Sequence, residues 1–239
     1  MEDPTRHLTE PHPEASVSNG YVTATSWADS LSLTHWLNQS IEAMTGHNVL
    51  DELLEPFAGD WEAIATFGLA LSNLARAMQD LGINVQQTTV RLDPSWDGNA
   101  ADAAYRYFSG LAAETSGTQF PLDDAAVQYE DLSKGMWALL DTMTGLLKQL
   151  IDKALIAAIA AAAGTALLET VVAPVIGYGV AALQVIQMLE LLNRCLVLAT
   201  SANALIFGFI GLVTTTSNRV SGLKGVQLPA GGYQHPALS

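Results

Sequence analysis

Basic residues and cysteine are both scarce in this 239-residue chain. Ten Lys and Arg stand against twenty-four Asp and Glu, which gives a formal net charge of −14. That sign repels phosphate backbones and anionic lipid headgroups, so we expect no nucleic-acid binding. The single cysteine, Cys195, excludes an intrachain disulfide and a cysteine-based zinc cluster. Its apolar surroundings predict a buried, inert thiol.

Motifs that carry catalysis are also missing. The five histidines are scattered, without the close spacing of a metal site on a helix. The chain contains no Gly-x-Ser-x-Gly elbow, P-loop or Gly-x-Gly-x-x-Gly fingerprint. Two pairs of carboxylates, Asp123-Asp124 and Glu130-Asp131, are adjacent in sequence and therefore point apart on a helix. The sequence predicts a protein that is not an enzyme and has no cofactor and no metal ion.

Composition divides the chain into three parts. Residues 1–22 are acidic and rich in proline, bury little apolar surface, and lack the basic start and apolar core of a secretory signal. They are predicted to form a disordered arm. Residues 23–217 are predicted to form one helical domain that opens with two modest helices between Trp27 and Phe57. The residues from 218 to 239 contain several Gly and Pro and are predicted to be a flexible tail.

Two heptad-patterned stretches flank a turn and predict a helical hairpin over residues 60–116. In the first stretch, apolar or small residues alternate at spacings of three and four: Trp61, Ile64, Gly68, Leu71, Ala75, Met78, Gly82 and Val85. The second stretch carries the stripe Ala101, Tyr105, Phe108, Ala112 and Thr115. Pro94 should end the first helix and Gly98 should permit the turn, so the two stripes can pack antiparallel. The large residues predicted in this seam are Trp61, Ile64, Leu71, Met78, Tyr105 and Phe108.

Long apolar helices are predicted over residues 121–217. Their first part keeps the three-four alternation at Leu122, Ala125, Tyr129, Leu132, Met136, Leu139, Met143, Leu146 and Leu150. After Lys153 the residues are almost all apolar, and Pro174 should kink or end the helix. The expected fold class is all-α: an elongated helical bundle built on an antiparallel helical hairpin with additional long apolar helices.

The apolar residues from 154 to 217 have three possible explanations. The stretch from Cys195 to Ser217 is uncharged and long enough to span a bilayer, which would suit a membrane-active pore or anchor. Two helices buried inside a bundle fit the same composition. The explanation that we favour is an interface between copies of the chain, because apolar residues on every face exceed what one neighbouring helix can cover.

Trp96 lies in the predicted hairpin turn. From the residues alone, packing within the hairpin is the favoured role of its indole, and the alternative is an aromatic anchor for another protein, since a large indole at a turn has few intramolecular neighbours. Its string Arg91-Leu92-Asp93-Pro94-Ser95-Trp96-Asp97-Gly98-Asn99-Ala100-Ala101-Asp102-Ala103-Ala104 resembles the WXG superfamily of type VII (ESX) secretion substrates from actinobacteria and related Gram-positive bacteria. The long helices after the hairpin resemble the larger helical proteins of that system and the N-terminal modules of actinobacterial secreted toxins. The resemblance implies a WXG-type hairpin, recognition of Trp96 and Gly98 by the secretion machinery, and a related WXG-type partner or a second copy of the chain.

One element of that family is missing from this chain. Its export signal is often Tyr-x-x-x-Asp/Glu after the hairpin, but the residues four positions after the six tyrosines are Thr25, Ser109, Leu111, Ser133, Ala182 and Ala237. The resemblance then implies that a signal-bearing partner completes the export signal, and that the protein is secreted or reaches the cell surface by the type VII route. The alternatives are a cytoplasmic chaperone for a secreted toxin and the membrane-associated pore or anchor.

Overall fold

The computed structural model describes the backbone of residues 1–12, 42, 53–166 and 172–222. These ranges are helical and contain no strand, which confirms the predicted all-α class. Four long helices dominate: α1 (Trp61–Leu92), α2 (Asn99–Gly117), α3 (Gln119–Ala166) and α4 (Val172–Gly222). Short 3₁₀ turns occupy Pro4–His7, Glu55–Phe57 and Asp93–Ser95. Most of the two modest helices predicted before residue 57, and most of the predicted tail, fall outside the described residues.

The chain divides into two compact units. Unit 1 contains Met1–Pro13, Ala63–Asp131 and Gly208–Ser239, and unit 2 contains Glu14–Glu62 and Leu132–Phe207. Helices α1, α3 and α4 each contribute residues to both units, whereas α2 belongs to unit 1 alone.

Helix α1 is buried at every seventh position, at Trp61, Gly68, Ala75, Gly82 and Thr89. The intervening members of the predicted stripe are half-buried: Ile64, Leu71, Met78 and Val85. The buried face of α1 therefore follows the three-four alternation read from the sequence. Most of the residues buried at these seven-residue intervals are small, so the backbone of a neighbouring helix can come close to α1.

Two glycines mark that close approach in unit 1. A Cβ added to Gly82 would lie 2.7 Å from the backbone oxygen of Ala112 and 2.7 Å from the backbone nitrogen of Ser116, both in α2. A Cβ added to Gly68 would lie 3.0 Å from the backbone oxygen of Ala126 in α3. The partner residues rise in number as those of α1 fall, so α2 and the start of α3 run antiparallel to α1. Thr118, which separates α2 from α3, keeps a helical conformation and donates its N–H to the carbonyl of Glu114 at 3.1 Å.

Helix α3 buries a wider stripe than the sequence predicts. Five of the predicted positions are buried, namely Leu122, Leu132, Met136, Met143 and Leu150, but Leu140 and Leu147 are also buried whereas Leu139 and Leu146 are only half-buried. A single three-four stripe is enough to pack against one neighbouring helix. The buried stripe of α3 is wider because its part in unit 2 contacts more than one element. Ser133 donates its hydroxyl to the carbonyl of Trp61 at 3.0 Å, and a Cβ on Gly135 would lie 2.9 Å from Leu205 Cδ2 of α4.

The apolar helices are longer than their heptad patterns. Helix α3 continues to Ala166, well past Lys153, because a run rich in alanine has a high helix propensity even without a stripe. Pro174 is the third residue of α4, a first-turn position at which the missing N–H has no partner to lose. Pro174 thus lies in the first turn of α4 and does not end a helix as predicted, and residues 167–171 before it fall outside the described residues.

The first part of the predicted disordered arm, residues 1–12, has defined contacts, and the remainder, residues 13–22, falls outside the described residues. Residues 1–12 lie along α1 in unit 1, where the side-chain nitrogen of Asn84 donates to the carbonyl of Glu2 at 2.6 Å and that of Asn73 donates to the carbonyl of Thr9 at 3.3 Å. Between these bonds, Asp80 Oδ2 accepts from Arg6 Nη2 at 3.0 Å and lies 2.8 Å from His7 Nε2. Composition cannot reveal this attachment, because the contacts are polar and join residues more than 60 positions apart, so the acidic, proline-containing segment has the composition of a disordered one.

We expect acid to release this N-terminal segment. The hydrogen bond with His7 holds the pKa of Asp80 below its ordinary value of 3.8; burial, the next largest effect, opposes it, and the charges of Arg6 and His7 add smaller lowering effects. A lowered folded-state pKa gives an attachment that is complete above the unfolded pKa and is lost as the pH falls through the folded one. The protection of amides in residues 1–12, measured as the exchange rate relative to an unstructured peptide at the same pH, should therefore fall below about pH 4.

Asp80→Asn should show the same loss of amide protection in residues 1–12 at pH 7. Asp141→Asn, which alters an exposed carboxylate of α3, should leave that protection unchanged. Unaltered protection in Asp80→Asn would mean that the attachment does not depend on this carboxylate.

Candidate functional site

The connection between α1 and α2 is a short turn with defined geometry. Leu92 ends α1, Pro94 lies in the 3₁₀ turn Asp93–Ser95, and Trp96 is extended with φ −142° and ψ 114°. The hydroxyl of Ser95 donates to the carbonyl of Leu92 at 2.8 Å, and the N–H of Trp96 donates to the carbonyl of Asp93 at 3.4 Å. These local bonds fix the direction in which the backbone carries Trp96 out of α1.

Gly98 closes the turn in a conformation that requires glycine. It has φ 100° and ψ 176°, the one positive φ among the described residues. Residues with a Cβ essentially never occupy that region. Its carbonyl accepts the N–H of Asp102 at 3.0 Å, which is the first hydrogen bond of α2. Gly98 therefore sets both the reversal of the chain and the start of the second helix.

A patch of apolar side chains surrounds this turn, which we call the turn patch: Leu92, Trp96, Tyr105 and Phe108. Their exposed fractions are 44%, 41%, 37% and 40%. The ring of Phe108 meets that of Tyr107 edge-on, with centroids 5.3 Å apart. The depression that the patch shares with Thr89 and Ala101 has a volume of only about 20 Å³, room for little more than a water molecule. The turn patch is therefore a shallow, partly exposed apolar surface without an enclosed pocket.

The residues predicted for the hairpin seam fall into two groups. Trp61 is buried, with its indole N–H donating to the carbonyl of Phe57 at 3.0 Å, and Ile64, Leu71 and Met78 are half-buried. Tyr105 and Phe108 instead lie at the exposed edge of the hairpin. Helix α2 approaches α1 closely at Ala112, beside Gly82, and Ala101 and Ala112 are 7% and 3% exposed. Tyr105 and Phe108 line a shallow depression together with Thr89 and Leu92 of α1.

The remaining reactive groups do not form a second site in the described ranges. They contain no group of three or more His, Cys, Asp or Glu side chains that could hold a metal ion. Cys195 is fully buried in α4, and burial raises the pKa of its thiol to about 11, so the unreactive protonated form prevails at neutral pH. His7 is paired with Asp80, as described above, and His35, His47 and His235 lie outside the described residues.

The most apolar segment among the described residues is also one of the least covered. Within Gly179–Asn218 of α4, the most apolar 18-residue window has a mean hydropathy of 2.1, yet only 11% of that window is buried. By length and composition it is the one described helix able to cross a membrane. Its buried face is narrow and contains Met188, Leu191, Leu192, Cys195, Ala199 and Ala202.

Comparison with models of protein families, with curated proteins and with solved structures yields no match to this chain. The resemblance to the WXG superfamily therefore depends on the residues around Trp96 alone. Sequence reasoning identified the position of the turn, but it missed both the exposure of Tyr105 and Phe108 and the attachment of residues 1–12 to Asp80.

Proposed function

We propose that this is a non-catalytic helical protein that acts by binding another protein through the turn patch. The observation that carries the proposal is the exposure of Trp96 on a turn whose geometry Gly98 fixes. A rigidly placed, half-exposed indole loses little conformational entropy on binding and offers a large apolar area, which is typical of residues that dominate interfaces. Leu92 and Phe108 add apolar area but no nucleophile or base.

The partner that we infer is helical. Three large residues of α1 recur at seven-residue intervals outside the seam: Phe67, Leu74 and Leu81, with exposed fractions of 49%, 39% and 43%. A second helix can pack on such a stripe by inserting its own side chains between them. Phe67 is held in place by an edge-on contact with Tyr129 of α3, at a centroid distance of 4.8 Å.

The biological setting that we propose is type VII secretion, with a WXG-type hairpin formed by α1 and α2. The support is the Trp96-Asp97-Gly98 sequence at the turn of an antiparallel helix pair, together with the alanine-rich start of α2. A related WXG-type protein, or a second copy of the chain, would form the pair. Because no Tyr-x-x-x-acid element occurs in this chain, a different partner would supply it, and the complex would be secreted or displayed on the cell surface.

Replacing Trp96 by alanine should abolish export while leaving the protein folded. The indole is 41% exposed, so its loss removes the binding surface without opening a cavity in the core. The measurement is immunodetection in culture filtrate and in cells of a strain that has the type VII system, with helicity and melting temperature followed on the purified variant. The matched control is Trp137→Ala, because Trp137 is 36% exposed on α3 of unit 2 and outside the turn patch.

Equal secretion of the wild type, Trp96→Ala and Trp137→Ala would contradict the proposed recognition of the turn. A wild type that stays in the cells, yet is captured there with a secreted toxin, would instead support the chaperone alternative. Loss of export in both tryptophan variants would indicate that exposed indoles are needed generally and not at the turn.

A further inference from the structure

Helices α3 and α4 run side by side in opposite directions within unit 2. Five residues separate the end of α3 at Ala166 from the start of α4 at Val172, and so short a connection spans about 20 Å at most. Gly135 of α3 meets Leu205 of α4, more than 30 residues from that connection on each helix. At a rise of about 1.5 Å per residue, the two helices stay together for about 45 Å and must be antiparallel.

Five charged residues form a band across this helix pair, which we call the charge band: Lys148, Asp152, Lys153, Glu190 and Arg194. Counted from the contact between Gly135 and Leu205, they lie about 17 to 27 Å along the pair, so both helices place their charges at a similar level. Arg194 donates to Glu190 at 2.6 Å. The band carries two negative and three positive charges and is nearly neutral, although the whole chain has a charge of −14.

Beyond the charge band the described parts of the helix pair, residues 154–162 of α3 and 179–189 of α4, are mostly apolar, and we call these two segments the tip. Between Lys153 and Glu190 the sequence contains a single charged residue, Glu169. Every exposed residue whose side chain is described there is apolar or glycine: Leu155, Ile156, Ala158, Ile159, Ala162, Gly179, Val180, Ala182, Leu183, Ile186 and Leu189. Ile159 and Ile186 are 61% and 64% exposed. Gln184 and Gln187 of α4 are half-buried, and the amide oxygen of each is buried.

We propose that this tip inserts into a lipid bilayer, with the charge band at the headgroups. The exposed apolar positions occupy about half the circumference of each helix, whereas one more protein helix would cover a narrower stripe. A nearly neutral band favours zwitterionic lipid, since neither attraction nor repulsion by headgroup charge is needed. The two segments of the tip rise about 12 Å in α3 and about 15 Å in α4, and each is shorter than the 30 Å or so of a hydrocarbon core. The tip therefore enters the membrane without the whole of α4 crossing it.

Flotation of the full-length protein with phosphatidylcholine vesicles tests the proposal. The wild type should float with the vesicles, and 0.5 M salt or added phosphatidylglycerol should not increase the bound fraction. Ile186→Glu should lower the partition coefficient severalfold, because it replaces an exposed apolar side chain, about 6 Å from Glu190 along α4, with a carboxylate. Ile159→Glu places the same charge on α3 and should act alike. Both residues are mostly exposed, so circular dichroism should show unchanged helicity.

The control is Phe207→Glu. Phe207 is 71% exposed on α4 and lies about 26 Å from Glu190 on the side away from the tip, so its substitution should leave vesicle binding unchanged. Equal loss in Phe207→Glu and Ile186→Glu would overturn insertion of the tip in favour of a helix lying flat on the surface. Absence of flotation would overturn membrane binding. Light scattering without lipid tests the remaining possibility. If the wild type were an oligomer and Ile186→Glu dissociated it, the tip would be covered by a second copy of the chain, which would overturn insertion into lipid. Trp96→Ala should float like the wild type, which separates this proposal from the function of the turn patch.

Discussion

Replacing Gly82 by leucine should lower the free energy of unfolding by about 3 kcal/mol or more, because a side chain at this position has nowhere to go. The space that its Cβ would occupy is 2.7 Å from two backbone atoms of α2, the oxygen of Ala112 and the nitrogen of Ser116. Backbone atoms cannot rotate away as a side chain can, so α1 and α2 would have to separate. Urea denaturation followed by circular dichroism measures the loss.

Gly145→Leu is the matched control for this prediction. Gly145 is also a helical glycine, but a Cβ added there meets nothing within 4 Å. The substitution should raise the free energy of unfolding by up to about 1 kcal/mol, since glycine is a poor residue for a helix interior. The two substitutions therefore have opposite expected signs. Equal stability of Gly82→Leu and Gly145→Leu would show that α1 and α2 are not as closely packed as the glycine contacts indicate.

The hairpin could be predicted from the sequence because its determinants are local. A three-four alternation makes one face of α1 apolar, and Pro94 ends the helix whichever neighbours it has. The positive φ of Gly98 is likewise local, because it requires only that this one residue lack a Cβ. The closeness of the helices was less predictable, since small residues such as Gly82 permit a close approach but do not indicate which backbone fills the space.

Features that depend on distant parts of the chain were not predictable in this way. The segment 1–12 is held by Asp80 and Asn84, and no spacing rule connects such positions with Arg6 or Glu2. The same limit applies to the turn patch. Periodicity assigned Tyr105 and Phe108 to the seam, but their exposure depends on how closely α2 approaches α1. The candidate site was thus predictable in position, at the turn, and not in the set of side chains that surround Trp96.

Leu150 and Leu155 provide a direct test of which apolar residues of α3 stabilise the fold. Leu150 is fully buried and Leu155 is 52% exposed, although they are five residues apart on one helix. Leu150→Ala should lower the free energy of unfolding by about 2–5 kcal/mol, because it leaves a cavity in a packed core. Leu155→Ala should change it by less than about 0.5 kcal/mol. Urea denaturation without lipid or detergent gives both values.

Comparing Leu150→Ala with Leu155→Ala also shows whether Leu155 is covered by a second copy of the chain or by a membrane. If Leu155→Ala destabilised the protein as much as Leu150→Ala, and if its effect grew with protein concentration, Leu155 would be covered by a second copy in solution. If Leu155→Ala kept full stability but lowered the fraction that floats with phosphatidylcholine vesicles severalfold, its apolar surface would serve the membrane and not the fold. We expect the second result, since the exposed positions of the tip are apolar on both helices.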